Sequence, residues 1–175
     1  MTKKIMFNDK YCLTQAVLAG QKTMTRRVMK GNTQKHLPYK VGEIVAIAQR
    51  YKELYPNADF EMVGNGFMTE SAGWTNKMFV RANLMKRHIM FTDVKVELLQ
   101  DISEKDCLRE GIRYYHSSDK RWSNDSGYGY HIPKNGLHLF DTPYEAFANL
   151  FERISGKGTW ESNPWVAAYS FELVD

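Results

Sequence analysis

The sequence predicts an α+β fold, a small mixed β-barrel with about three short helices and a long loop at residues 113–140. Apolar and β-branched runs of strand length dominate the chain. Helix-start signatures occur near its beginning, middle and end, without the regular alternation that a doubly wound sheet requires. At 175 residues the chain is expected to form a single domain, 1–175, around one core.

The elements follow in order. Residues 4–7 read as a short strand, and Asn8 or Asp9 is placed to cap a helix that carries Leu13, Ala16, Val17 and Leu18 and stops at Gly20. Pro38 and Gly42 bracket a turn, after which Glu43 to Ala48 is a β-branched apolar run suited to a strand buried on both faces. Between 52 and 77 no period is sustained, and Gly64, Gly66 and Gly73 predict turns with one short hairpin. Residues 78–82 read as a strand. Residues 88–99, with Ile89, Phe91, Val94, Val96 and Leu98 set among polar neighbours, read as a longer one.

Ser103 followed by Glu104 and Asp106 opens a short helix that Gly111 closes. Residues 113–140 are rich in Tyr, Ser, Asp, Asn, Gly and His and lack periodicity, which predicts the long loop, in the manner of a flap. Thr142-Pro143-Tyr144-Glu145 puts a capping hydroxyl, a proline and a glutamate at the positions that start a helix, expected to run to about Ser155. Val166 to Leu173 then reads as the closing strand.

Composition bounds the function. The 24 Lys and Arg against 20 Asp and Glu leave a net charge of only +4, so nucleic-acid binding requires that the basic groups cluster on one face. Cys12 and Cys107 stand far apart and form no CxxC pair, which fits a reducing compartment. With no signal-like start and no apolar run near the ~20 residues of a membrane helix, a cytoplasmic location without a membrane partner is expected. The five histidines, His36, His88, His116, His131 and His138, lack zinc-site spacing, so no metal is expected. The glycine-rich pieces at 64–66 and 127–129 lack the lysine and helix of a phosphate loop, and no cofactor is expected.

The densest polar segment is Gly20 to Arg27, where a helix end meets Thr23, Thr25 and the cations Lys22, Arg26 and Arg27. In extended backbone Thr23, Thr25 and Arg27 share a face, whereas a turn at the helix end brings Lys22 beside Thr25. Lys22 and Arg27 suit an anion or a carbonyl oxygen, and a threonine hydroxyl suits binding or attack. The alternative is a solvated basic turn.

Gly20, Lys22, Thr25 and Arg27 fit the GxKxxTxR signature, and in it the sequence resembles ASCH domains, relatives of the RNA-binding PUA domain. The resemblance extends to Tyr39–Val45, to Leu99–Gly111 and to Trp160–Val166, echoing phage-type ASCH proteins, and it is weakest at 50–76 and 113–140. It implies a PUA-like barrel whose cleft takes RNA or a modified nucleobase. Some small bacterial members are amidohydrolases that deacetylate N4-acetylcytidine with a lysine, a threonine and a glutamate. Lys22, Thr25 and Glu110 stand where those catalytic residues fall, with Lys22 as the base for the Thr25 hydroxyl and Glu110 orienting the lysine or serving the leaving nitrogen. Lys22 must be neutral to act, which burial or a nearby cation such as Arg27 favours. The chain is considerably longer than those hydrolases, and another ASCH protein is similar to a ribonuclease, none of whose active-site residues maps here.

Gly20, Thr23, Arg26 and Arg27 are the remaining ligand-binding candidates in the segment, joined by Trp74 and Arg81 outside it. Arg81, Lys86, Arg87 and His88, near Phe79 and Phe91, suit either a base-stacking surface or a protected strand edge. Trp160 and Trp165 are expected in the core, and Trp74 and Trp122 are better placed for a ligand wall. The leading expectation is a cleft that binds RNA or a modified nucleoside, and amide hydrolysis at that cleft is the alternative. A vestigial cleft, with the long loop contacting another protein, would leave Glu110 out of reach of Lys22.

Overall fold

The computed structural model describes residues 2–30, 37–117, 125–132, 134 and 136–175. Its main sheet has five strands: β1 (Lys4–Ile5), β2 (Met24–Val28), β3 (Ile44–Ile47), β6 (His88–Leu98) and β10 (Trp165–Leu173). They lie in the order β1-β3-β6-β10-β2, with β1 parallel to β3 and the other pairs antiparallel. β6 and β10 are the two long apolar-patterned runs, and they occupy the interior of the sheet. Two buried rows cross it, with Ile89 and Phe91 on β6 and Ala167, Tyr169 and Phe171 on β10.

The expected barrel is not closed. Among the described residues β1 and β2 are not hydrogen-bonded strands, and the sheet ends at both. A side chain bridges the gap instead: an Arg27 guanidinium nitrogen donates to the Met6 carbonyl oxygen at 2.8 Å. β1 is only two residues long, too short to zip against the five residues of β2.

Helix α1 (Leu13–Leu18) connects β1 to β2 and ends where Gly20 takes φ +70°. Its start is set by Cys12 in the left-handed region, without a side-chain cap from Asn8 or Asp9. After β3 come α2 (Tyr51–Leu54) and the hairpin of β4 (Met62–Val63) and β5 (Gly66–Phe67), as the glycines suggested. Residues 78–82 do not form the expected strand. Met78 and Phe79 belong to the 3-10 turn Lys77–Phe79 and Ala82 to the 3-10 turn Ala82–Leu84, with Val80 and Arg81 extended between them, and the Lys4 ammonium ties the first turn down by donating to the Met78 and Val80 carbonyls. This region packs a second apolar cluster around Tyr51 and Met68.

α3 (Glu104–Arg109) begins as expected, the Ser103 hydroxyl accepting from the Asp106 amide at 3.1 Å, and Gly111 follows it at φ +110°. Within the expected loop at 113–140 the described residues instead form mostly a three-stranded antiparallel sheet of β7 (Arg113–Tyr115), β8 (Gly127–Ile132) and β9 (Gly136–Phe140). Residues 118–124, including Trp122, lie outside the described residues, as does His36.

α4 (Pro143–Ser155) carries the full capping box of Thr142 and Glu145. Its apolar face, Ala146, Phe147, Leu150 and Phe151, belongs to the main core, and the helix packs against β8 and β9. α5 (Thr159–Ser162) leads into β10. Trp160 packs edge-on to Tyr144 and Phe147, as expected, but Trp165 is 44% exposed because it opens β10 at the sheet's rim. Among the described residues no helix is long and apolar enough to cross a membrane.

Candidate functional site

A cavity of about 370 Å³ lies where the barrel fails to close. One side is Met6–Asn8, which continues from β1, and the other is Thr25–Val28 of β2. Lys22 and Glu110 form the polar floor, and Phe147, Leu150, Phe151 and Ile154 of α4 form the apolar wall, with Ser155 and Thr159 beyond them.

The floor is set by two helix ends. At the end of α1 the Gln21 and Lys22 amides both donate to the Ala16 carbonyl, at 2.8 and 3.0 Å, and the Thr23 amide donates to the Arg109 carbonyl at 2.9 Å. This pins the turn before β2 against the end of α3. Glu110 immediately follows α3, and Gly111 then turns the chain in a conformation that strains a residue with a Cβ. The Lys22 ammonium therefore meets Glu110 twice, donating to Oε2 at 2.6 Å and to the main-chain carbonyl at 2.7 Å. Both side chains are almost fully buried.

Burial is the largest influence on Lys22 and pushes its proton affinity below the ordinary lysine range; Glu110 pulls the other way, and Arg27 and Arg26 add to the lowering. Behind the pair, Arg26 donates to Glu110 Oε1 at 3.0 Å, to Glu97 at 2.6 Å and to Asp106 at 3.2 Å. Lys95 and Arg109 also reach Asp106. Burial works to raise the Asp106 carboxyl, yet the Lys95 and Arg26 cations hold it below the usual carboxylate range. Thr25 is 5% exposed, lines the cavity, and its hydroxyl has no hydrogen-bond partner among the described residues. A buried pair that can exchange a proton thus shares a cavity with an unengaged hydroxyl, which is an arrangement able to activate a nucleophile.

Lys22, Thr25, Glu110 and Arg27 are brought together as expected from the sequence. Arg26 is close, but its guanidinium is fully buried among carboxylates and does not reach the cavity. Gly20 serves only to end α1, and Thr23 accepts from Arg109 at 3.3 Å, so neither lines the cavity. Trp74 packs on the second apolar cluster, and the Arg81 amide donates to the Tyr51 hydroxyl at 2.8 Å; both belong to that cluster's surroundings, away from the cavity. The α4 wall has no counterpart among the sequence candidates. The helix itself was legible, but the part of the chain its apolar face meets was not.

The open mixed sheet with its few short helices is an ASCH-like fold. A solved ASCH domain from Lactobacillus crispatus JV V101 superposes on it with TM-score 0.50 at 14% identity, covering 99% of this chain and 79% of the other. A crystal structure of a DUF984-family protein from Enterococcus faecalis V583 matches with TM-score 0.50 at 17% identity, covering 100% of this chain and 81% of the other. At these identities the likeness is one of fold. No protein-family model and no curated protein matches the sequence.

Proposed function

We propose that the cavity binds one modified nucleoside, free or presented by single-stranded RNA. The observation that carries this is the buried Lys22–Glu110 pair, 2.6 Å apart, which lines a cavity of about 370 Å³ together with a Thr25 hydroxyl that is unpartnered among the described residues. That volume lies in the range of small-molecule sites and suits one base with a substituent, not a length of strand. The α4 wall offers a flat base apolar contact, and Arg27 offers charge at the polar side.

Amide hydrolysis is the second reading, favoured by the lowered proton affinity of Lys22. The Thr25 oxygen adds to the acyl carbon as its proton passes to Lys22. The carbon–nitrogen bond breaks while the amino nitrogen of the base takes up a proton, and water then cleaves the threonine ester to release the carboxylic acid. Glu110 holds Lys22 and exchanges protons with it. A vestigial cleft is disfavoured by the contact of Glu110 with Lys22.

The test is incubation of the pure protein with N4-acetylcytidine, following cytidine by chromatography alongside binding by calorimetry. Release of cytidine that disappears in Thr25→Ala supports hydrolysis. Saturable binding without release supports a binding module. Neither binding nor release of N4-acetylcytidine at high protein concentration counts against the nucleoside reading.

A further inference from the structure

The open edge of β2 has no part in the chemistry above, yet it forms one side of the cavity. Antiparallel partners exchange main-chain hydrogen bonds at every second residue. The Phe171 amide donates to the Thr23 carbonyl and the Met29 amide to the Trp165 carbonyl, each at 2.9 Å, and the register between them pairs Thr25 with Tyr169 and Arg27 with Ala167. Odd-numbered residues of β2 therefore turn their main-chain groups toward β10. The N–H and C=O groups of Arg26 and Val28 turn the other way, toward the gap.

Exposure agrees with this parity. The Arg26 side chain is 0% exposed while the whole residue keeps 4%, so what Arg26 presents to the cavity is main chain. Its guanidinium is clamped behind the sheet by three carboxylates, which holds the strand at that point. A donor and an acceptor on one residue, held rigid and open to a cavity, match an adjacent acceptor and donor on a planar ring.

We propose that the Arg26 N–H and C=O read the hydrogen-bonding edge of the bound base, in the way a sheet edge accepts an added strand. This rests on the nucleoside reading and narrows it. The ligand class is nucleosides whose ring keeps a free acceptor next to a free N–H, as an N4-acylated cytosine does with N3 and N4–H. Bases blocked at that edge are excluded. A peptide strand is a poorer occupant, because Phe147, Phe151 and Ile154 of α4 stand across the gap.

The experiment is an ¹⁵N NMR titration of the full chain with N4-acetylcytidine and with its 3-deaza analogue, which replaces the ring acceptor by C–H. The acetate signal in the same samples reports turnover. Expected are a downfield shift and slowed exchange of the Arg26 amide with N4-acetylcytidine, and binding of the analogue weaker by roughly tenfold or more, since it leaves a buried donor unpaired. Saturable shifts at Thr25 and Phe151 with an unmoved Arg26 amide, or equal affinity for the two ligands, would overturn the main-chain readout and leave the nucleoside reading standing. No saturable shift anywhere with either ligand overturns both.

Discussion

Replacing Arg26 by methionine removes a guanidinium that Glu97, Asp106 and Glu110 share at 2.6, 3.2 and 3.0 Å. The arginine side chain is fully buried, so little water screens these contacts. Each carboxylate keeps at least one other cation: Glu110 keeps Lys22, Glu97 keeps Lys95, and Asp106 keeps Lys95 and Arg109. Removing one partner of a buried ion pair costs about 3–5 kcal/mol, and the remaining cations place this change at the lower end, about 3 kcal/mol. For a chain of this size that is a fall in Tm of roughly 6–12 °C.

The deficit depends on pH with a definite sign. The Asp106 carboxyl is held low in the folded protein, so it contributes stability that is present above its unfolded pKa and lost as pH falls through the folded value. The variant lacks the Arg26 part of that contribution from the start. The wild-type and variant curves should therefore be far apart near neutral pH and converge as pH falls below about 4. Urea unfolding of both proteins across that interval is the assay. A second variant, Arg26→Met with Glu97→Leu, removes the carboxylate that Arg26 held at 2.6 Å, leaves Lys95 paired with Asp106, and should recover part of the loss. A deficit under about 1 kcal/mol, or one that does not change with pH, refutes the view of Arg26 as the shared counter-ion of this network.

Three further outcomes follow from the geometry. Gly129→Ala would drive a Cβ into the His138 carbonyl oxygen on the neighbouring strand, and it should loosen β8 from β9, cost more than about 1 kcal/mol and speed proteolysis within residues 113–140. Phe151→Ala removes a side chain that serves both core and cavity wall; a loss of about 3–5 kcal/mol together with weaker N4-acetylcytidine binding is expected, measured by calorimetry of unfolding and of binding. Burial pushes the Cys107 thiol up to about 12 and leaves it inaccessible, so maleimide should label Cys12 alone in the native protein and both cysteines in denaturant; native labelling of Cys107 would mean that α3 opens readily.

Much of the fold was legible where local chemistry decides it. The Thr142–Glu145 box, the Ser103 cap and the alternation through β6 lead to the elements they announce. The three-stranded sheet was not legible because glycines interrupt its strands, Gly127 and Gly129 within the tyrosine run of β8 and Gly136 at the start of β9. Gly127 and Gly129 are required where a Cβ would strike the carbonyls of Phe140 and His138, and that requirement exists only once the neighbouring strand is in place. Residues 78–82 read as a strand, but the Lys4 side chain takes the Met78 and Val80 carbonyls from across 74 residues or more of chain.

The site divides in the same way. Lys22, Thr25 and Arg27 lie in one short segment and were read together. Glu110 came from the resemblance, and its contact with Lys22 depends on two helix ends 88 residues apart. Arg26 looked like a ligand group because a charge beside a motif suggests a partner in solution. Three carboxylates from β6, α3 and the residue after α3 claim it instead, and no local pattern shows that.

The α4 wall has a practical consequence. Phe147, Leu150 and Phe151 belong at once to the main core and to the lining of the cavity, so this wall cannot be reshaped without touching what keeps the chain folded. Occupancy and melting are thereby tied together: a molecule that fits should raise the unfolding free energy by about 2.7 kcal/mol when present at a hundred times its Kd. A fluorescence melt against a panel of nucleosides then becomes a search for the natural ligand that works whether the cavity turns its occupant over or only holds it.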